Sequence, residues 1–226
     1  MSPSHYGIIL QFLLCAFLLS LNILLIECEI GTVPNLRVYL DTALYMEIVE
    51  PEDIGYTFRI RPAKDFGTGF HHQYFGINLL FGEPFHGCSP FSNSARLENT
   101  VVLVERGPLN SAQSVMHISR QNVQMLQFRK CGCSFVTKTY NVQQAGAIAA
   151  IIMDNDLKND ENYIDMITDG TERSVNIPAL FLLGKDGHMI RQSLEENGLS
   201  AAVVNIPVNI TGIPLHNVRQ PPWTLW

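Results

Sequence analysis

The chain has 226 residues, of which 46% are apolar and 16% are charged, and its formal net charge is −6. This length suits one domain with extensions and is sufficient to bury a core without a structural metal. Lysine and arginine are scattered and form no basic stripe, which argues against nucleic acid as a partner.

The N-terminus carries a hydrophobic segment, Ile8–Ile26, which is interrupted only by Gln11, Ser20 and Asn22. Its length is near that of a bilayer span. Because it begins at the N-terminus and contains polar residues, a signal peptide is favoured over an uncleaved anchor. We assign residues 1–28 to this signal peptide, without a defined cleavage position, and expect the rest of the chain to enter the secretory lumen.

Short runs of apolar or alternating residues predict strands along the chain. Those expected are Val38–Val49, Tyr56–Ile60, Ile77–Phe81, Val101–Glu105, Ile148–Met153, Ala179–Leu183 and Ala202–Val208. Val101–Glu105 is apolar on both faces, which is typical of a central strand.

Two helices are predicted between the later strands. The first covers Phe135–Ala145, with Ser134 as its N-cap and Gly146 after its end. The second covers Gly187–Glu196, with Asp186 as its N-cap. Strands on either side of such helices pair in parallel. The sequence therefore predicts an α/β fold, with a Pro- and Trp-rich tail lying over its surface.

Residues 108–131 interrupt the predicted turn from strand to helix between Gly107 and Gly132. Compact domains rarely hold so long a stretch without periodicity, although closure entropy would tolerate it. Two interpretations stay open: a mobile functional flap, or an error of the gene model such as a retained intron. The second is favoured, partly because deleting the segment also removes Cys131.

Five cysteines are present, and Cys15 lies within the N-terminal hydrophobic segment. In an oxidising compartment we expect a disulfide. We favour Cys88 with Cys133, because Cys88 lies in a loop and Cys133 at a predicted helix start. Closing a loop of this size stabilises a fold by about 3–4 kcal/mol in the chain-entropy model. Cys131 would then be free or mispaired, since no second Cys/His pair accompanies it to hold zinc.

The one N-glycosylation sequon is Asn209-Ile210-Thr211. The expected secretory context and the turn residues that follow it, Gly212 and Pro214, favour an exposed site that is used.

No set of residues indicates catalysis. His71 and His72 occur without an HExxH motif, so a solvated loop pair is favoured over a ligand pair. The acidic segment 154–172 begins like a calcium loop but has Lys158 at a ligand position, so a solvated acidic face is favoured over weak cation binding. Cys133 could be a nucleophile only outside a disulfide. We expect no catalytic residue, no cofactor and no metal.

Several motifs occur in a consistent order, namely Glu105-Arg106-Gly107, Gly132-Cys133-Ser134-Phe135, Lys138, Gln144-Ala145-Gly146-Ala147, Ile151-Ile152, Ile177-Pro178-Ala179 and Asp186-Gly187. Joined without residues 108–131, they resemble the protease-associated (PA) domain of subtilases, aminopeptidases, vacuolar sorting receptors and the transferrin receptor. The resemblance implies an open β-barrel or sandwich flanked by helices. It also implies that the domain binds proteins or positions substrates without being catalytic, and that Cys88 pairs with Cys133.

The expected organisation has four parts: the signal peptide, an N-terminal extension at 29–74 that packs on the core, a PA domain at 75–205 that contains the insertion 108–131, and a tail at 206–226. We expect a secreted, N-glycosylated module that binds an unidentified protein or peptide, and no membrane span after signal cleavage. The alternatives are a regulatory or substrate-positioning subunit of a secretory-pathway hydrolase or glycosidase and, less favoured, a membrane-anchored sorting receptor.

Overall fold

Seven strands close into a barrel in the computed structural model, which describes residues 43–107 and 132–224. The strands are β1 (Leu44–Glu50), β2 (Thr57–Pro62), β3 (Tyr74–Phe81), β4 (Val101–Glu105), β5 (Ala149–Met153), β6 (Ala179–Leu182) and β7 (Ala201–Val208). The helices are α1 (Ser94–Leu97), α2 (Phe135–Gln144) and α3 (Gly184–Glu196), and short 3₁₀ helices occur at Glu52–Ile54 and Leu215–Asn217. The expectations for residues 1–28 and 108–131 lie outside the described residues.

Neighbouring strands around the ring follow the order β1-β2-β6-β5-β4-β3-β7. The strands β3, β4, β5 and β6 pair in parallel, as the β-α-β pattern predicts. Every residue of β5 and β6 is buried. These strands are buried on both faces because alternate side chains point into the barrel and outwards against α1, α2 and the loops that follow.

Antiparallel pairs complete the ring: β1 with β2, β1 with β7, β3 with β7 and β2 with β6. The β2–β6 pairing is short and joins Arg61 to Phe181 and Pro62 to Leu180. The predicted α/β barrel flanked by helices is therefore confirmed, although the ring is closed rather than open. Residues 29–74 were expected to pack on the core, and in their described part β1 and β2 are themselves strands of the ring.

The two longer helices differ in how they begin. In α2, Ser134 is the N-cap and its hydroxyl accepts a hydrogen bond from the Thr137 backbone N–H, as predicted. In α3 the helix starts at Gly184, three residues before the predicted position, and Asp186 is not its cap. A Cβ on Gly184 would lie 1.9 Å from the carbonyl oxygen of Asp156, so this helix start can approach the preceding loop only with glycine.

The C-terminal tail lies on the barrel, as the sequence predicts for the described residues up to 224. The carbonyl of Arg219 accepts a hydrogen bond from the Thr57 backbone N–H over 2.7 Å, and its guanidinium lies 4.8 Å from the centre of the Tyr56 ring. Within the described part of the chain, the helices are too short or too polar to cross a bilayer.

Candidate functional site

A disulfide joins Cys88, in the loop after β3, to Cys133, immediately before α2. The two Cα atoms are 5.6 Å apart, within the range that a disulfide spans. This is the pair favoured from the sequence. The bond keeps the Cys133 sulfur from acting as a free nucleophile, and it ties the loop to the helix. The amide of Asn141 makes a second tie by donating to the carbonyl of Gly87 over 2.9 Å.

A lysine lies beneath this disulfide. Lys138 of α2 is fully buried, and its Nζ lies 3.5 Å from the Sγ of Cys88. The same amine donates a hydrogen bond to the carbonyl of His86. Burial lowers the pKa of Lys138 to about 8, and the negative charge of Glu105 partly offsets that shift. In the sequence Lys138 stands out only as part of a motif, because nothing in the helical pattern marks it as buried.

The carboxyl ends of β4 and β5 carry a buried ion pair. Nη1 of Arg106 lies 3.0 Å from Oδ1 of Asp154, with side-chain exposures of 16% and 5%. The other carboxylate oxygen of Asp154 accepts a hydrogen bond from the amide of Asn159 over 2.7 Å. This edge of a parallel sheet is where α/β proteins place their ligands. In this protein the two charged side chains at the centre of that edge, Arg106 and Asp154, bind each other.

A second polar group forms at the start of α3. The carboxylate of Asp186 is 2% exposed and accepts a hydrogen bond from Nε1 of Trp223 over 2.9 Å. Burial raises the pKa of Asp186 to about 6, although the Trp223 hydrogen bond and the positive charge of Lys185 act to lower it. Lys185 lies 4.6 Å from the centre of the Trp223 ring and pairs with Asp160 over 2.9 Å.

The acidic segment 154–172 keeps most of its carboxylates at the surface, as the sequence favoured, and of its seven acidic residues only Asp154 is buried. Met166 is fully buried within it, and Asp165 pairs with Arg61 of β2 over 3.2 Å. The ring of Tyr163 lies under the guanidinium of Arg61, and burial raises the pKa of its hydroxyl. The apolar residues Tyr163, Ile164 and Met166 pack against the barrel, while the carboxylates around them stay at the surface. Within 43–107 and 132–224 no group of three potential metal ligands comes together.

The histidine pair lies at the opposite end of the barrel. His71 and His72 are exposed in the loop before β3, as the sequence favoured, and the ring of His72 lies 4.1 Å from that of Tyr74. The next residue, Phe75, is 73% exposed, the largest exposure among the large apolar side chains of the described residues. Sequence reasoning missed Phe75, because it lies just before the predicted strand and only the barrel shows that no element covers it.

Asn209 lies at the end of β7 and is exposed. Its side-chain oxygen accepts a hydrogen bond from the Thr211 backbone N–H over 2.9 Å, which forms an Asx turn across the sequon. The side-chain amide nitrogen is therefore presented at a surface turn.

A family model described as the PA domain matches residues 77–190. This chain belongs to the PA domain family. Over 185 residues it is 37% identical to a PRADC1-like protein of Drosophila melanogaster, and the match covers 81% of this chain and 82% of that protein. The family assignment agrees with the motif order and with the seven-stranded α/β barrel.

Two further similarities each cover only part of a larger protein. An ER degradation-enhancing alpha-mannosidase-like protein 3 of Xenopus laevis is 29% identical over 118 residues, which cover 50% of this chain and 10% of that protein. Among solved structures, a zinc aminopeptidase of Bacillus subtilis matches with a TM-score of 0.44 and 16% identity over 71% of this chain and 29% of the enzyme. This chain therefore spans only a small part of either protein.

Proposed function

We propose that this chain is a non-catalytic PA domain of the secretory pathway that binds an extended segment of another polypeptide. The observation that carries the proposal is the first half of β3. Among the described residues, β4 pairs with β3 only from Leu79 onwards, so the preceding residues have a strand neighbour, β7, on one side alone. An open strand edge offers a row of backbone donors and acceptors to an incoming strand.

Side chains at this edge suit such a ligand. Phe75 projects into solvent on one face of β3, and Tyr74, which points to the other face, contacts the rings of Phe70 and His72. A peptide strand that pairs with β3 would bury the Phe75 ring under alternate apolar side chains. Aromatic side chains supply much of the energy at protein interfaces. The backbone would give affinity, and the aromatic residues would favour apolar residues in the ligand.

The charged groups elsewhere support a binding role over catalysis. The Arg106–Asp154 pair, the Lys185–Asp160 pair and the Asp186–Trp223 hydrogen bond each hold together parts of the fold. Groups committed in this way stabilise loops and do not present a reactive side chain to a substrate.

A displayed peptide library selected on the immobilised full chain tests the proposal. We expect enriched peptides that alternate apolar and polar residues and protect the amides of Tyr74–Asn78 from hydrogen exchange. Phe75→Asp should abolish their binding, whereas Ile167→Asp, which changes another exposed apolar residue, should not. Selection of peptides that ignore Phe75→Asp, or peptide hydrolysis abolished by one substitution, would overturn it.

We also propose that the chain is secreted and carries a glycan on Asn209. The exposed Asx turn of the sequon and the Cys88–Cys133 disulfide support this proposal. Protein secreted from animal cells should lose mass on treatment with an N-glycosidase. Asn209→Gln and Thr211→Ala should remove that shift, while Thr211→Ser, which keeps the sequon, should retain it. An unglycosylated wild-type protein would contradict the proposal.

A second candidate is a regulatory or substrate-positioning subunit of a secretory-pathway hydrolase or glycosidase. The similarity to a mannosidase-like protein over half of this chain favours it. The expected result is co-purification of such an enzyme at fixed stoichiometry, with loss of the complex on Phe75→Asp. A chain that migrates alone at native concentration would count against this function.

A further inference from the structure

The two sulfur atoms of the disulfide have different surroundings. The ammonium group of Lys138 lies 3.5 Å from Sγ of Cys88. Cys133 instead precedes Ser134, the N-cap of α2. Both cysteines are half-buried, so neither is sealed in the core. The bond therefore joins one sulfur beside a buried cation to another at the start of a helix.

Among residues 43–107 and 132–224, Lys138 has no carboxylate as a hydrogen-bond partner. Its amine contacts the His86 carbonyl and the Cys88 sulfur, and Glu105 of β4 acts on it only through its charge. A buried ammonium without a bonded anion costs free energy. A thiolate at Cys88 would supply that anion, so the site stabilises the state in which the disulfide is open.

We infer that the Cys88–Cys133 disulfide is a thiol-exchange site, in which the thiolate of a low-molecular-weight thiol attacks Cys133 and Cys88 leaves as a thiolate held by Lys138. The bond between Cys88 and Cys133 breaks, and its electron pair stays on Cys88. A new disulfide forms between the incoming sulfur and Cys133. A second thiolate then attacks this mixed disulfide, which releases oxidised thiol and a Cys133 thiolate, so two thiols supply the two electrons.

The direction of attack follows from the leaving group. A nearby lysine lowers the pKa of a cysteine thiol, and a thiol of lower pKa leaves faster in exchange. A helix start also lowers the pKa of a nearby thiol, which applies to Cys133. The carboxylate of Asp169, which bonds to Ser134, opposes that effect, while Arg173 lies one turn further on and bonds to Thr137. Cys88, beside the lysine, is therefore the better leaving group, and Cys133 is the sulfur attacked.

Opening the bond need not unfold the domain. The amide of Asn141 still holds the carbonyl of Gly87, and the Cys88 backbone N–H still donates to Nδ1 of His86. The loop would remain near α2 while losing its covalent tie. Exchange at this site is thus compatible with a folded protein, and it is independent of the peptide-binding function proposed above.

The test uses the full secreted chain with Cys131→Ser, so that added glutathione and not a neighbouring cysteine is the attacking group. Trapped products are mapped by mass spectrometry. We expect glutathione on Cys133, free thiol on Cys88, and a loss of about tenfold in the cleavage rate for Lys138→Met. Lys158→Met, which removes the same charge from an exposed position, should match the parent. Glutathione on Cys88, or equal rates for both variants, would overturn the inference.

A second measurement does not depend on the folding of Lys138→Met. Cys133→Ser leaves Cys88 as a thiol beside Lys138, and the pH dependence of its alkylation by iodoacetamide gives its pKa. We expect a value below about 7.5, compared with about 8.5 for an ordinary cysteine. A pKa at or above the ordinary value would show that Lys138 does not stabilise the thiolate, and the exchange site would be refuted.

Discussion

Nε1 of Trp223 donates a hydrogen bond to Oδ1 of Asp186 over 2.9 Å, which attaches the C-terminal tail to the first turn of α3. The indole can only donate, and the buried carboxylate needs a donor. Lys185 strengthens the attachment because its amine lies over the same indole ring. This contact joins two distant parts of the chain and makes the tail part of the fold.

Replacing Trp223 with phenylalanine should lower the free energy of unfolding by about 1–3 kcal/mol, because a buried carboxylate loses its donor. Urea denaturation of the purified protein measures the change. The matched control is Trp223→Phe combined with Asp186→Leu, which removes both polar partners and should recover part of the loss. Equal stability of wild type and Trp223→Phe would show that the tail does not contribute to stability.

The raised pKa of Asp186 predicts a pH dependence of stability. Its folded value of about 6 lies above the ordinary value of 3.8, so the folded state holds a proton that the unfolded state releases. The contribution of this group is therefore greatest below about pH 4 and is lost as the pH rises through about 6. The Asp186→Asn variant has no titrating group at this position. Its free energy of unfolding, relative to that of wild type, should therefore rise between about pH 4 and pH 6. A constant difference between the two proteins would contradict the assigned pKa.

Breaking the ion pair between Arg106 and Asp154 should be costly. Arg106→Met leaves the buried carboxylate of Asp154 without its cation, and losses from such pairs are about 3–5 kcal/mol. As a control, Arg191→Met removes an exposed partner of Glu195, where we expect less than about 1 kcal/mol. Chemical denaturation of both variants tests the difference. Similar small losses in both would show that the Arg106 pair is effectively solvated.

Gly184→Ala should destabilise the protein by more than about 2 kcal/mol, because the added Cβ meets the Asp156 carbonyl at 1.9 Å and backbone must move. Gly69→Ala is the matched control, since a Cβ there meets nothing within 4 Å. Its effect should lie within about 0.5 kcal/mol. Thermal unfolding of the two variants side by side makes the comparison, and equal midpoints would contradict the close approach.

The sequence predicts the parallel half of the barrel well. Its strands are short apolar runs that end at turns, and α2 begins directly after Ser134, the expected cap. These signals are local, because each depends on neighbours along the chain. The disulfide between Cys88 and Cys133 also followed from local arguments about a loop and a helix start.

Features that depend on distant contacts were not predictable in the same way. Asp186 has the sequence pattern of an N-cap, yet its carboxylate bonds to Trp223, which a local pattern does not reveal. Lys138 looks like a surface residue of a helix until the loop that carries Cys88 covers it. The burial of Met166 within the acidic segment and the pairing of Asp165 with Arg61 of β2 are likewise visible only in the folded barrel.

Ring closure has a consequence for how this protein is made. Tyr45 of the first strand pairs with Val208 of the last, so the barrel cannot shut until the ribosome has delivered nearly the whole described chain. Until then β1 lacks one of its two neighbours and remains a target for mispairing. Folding of this topology is therefore completed after synthesis, and a C-terminally truncated product should be retained by chaperones.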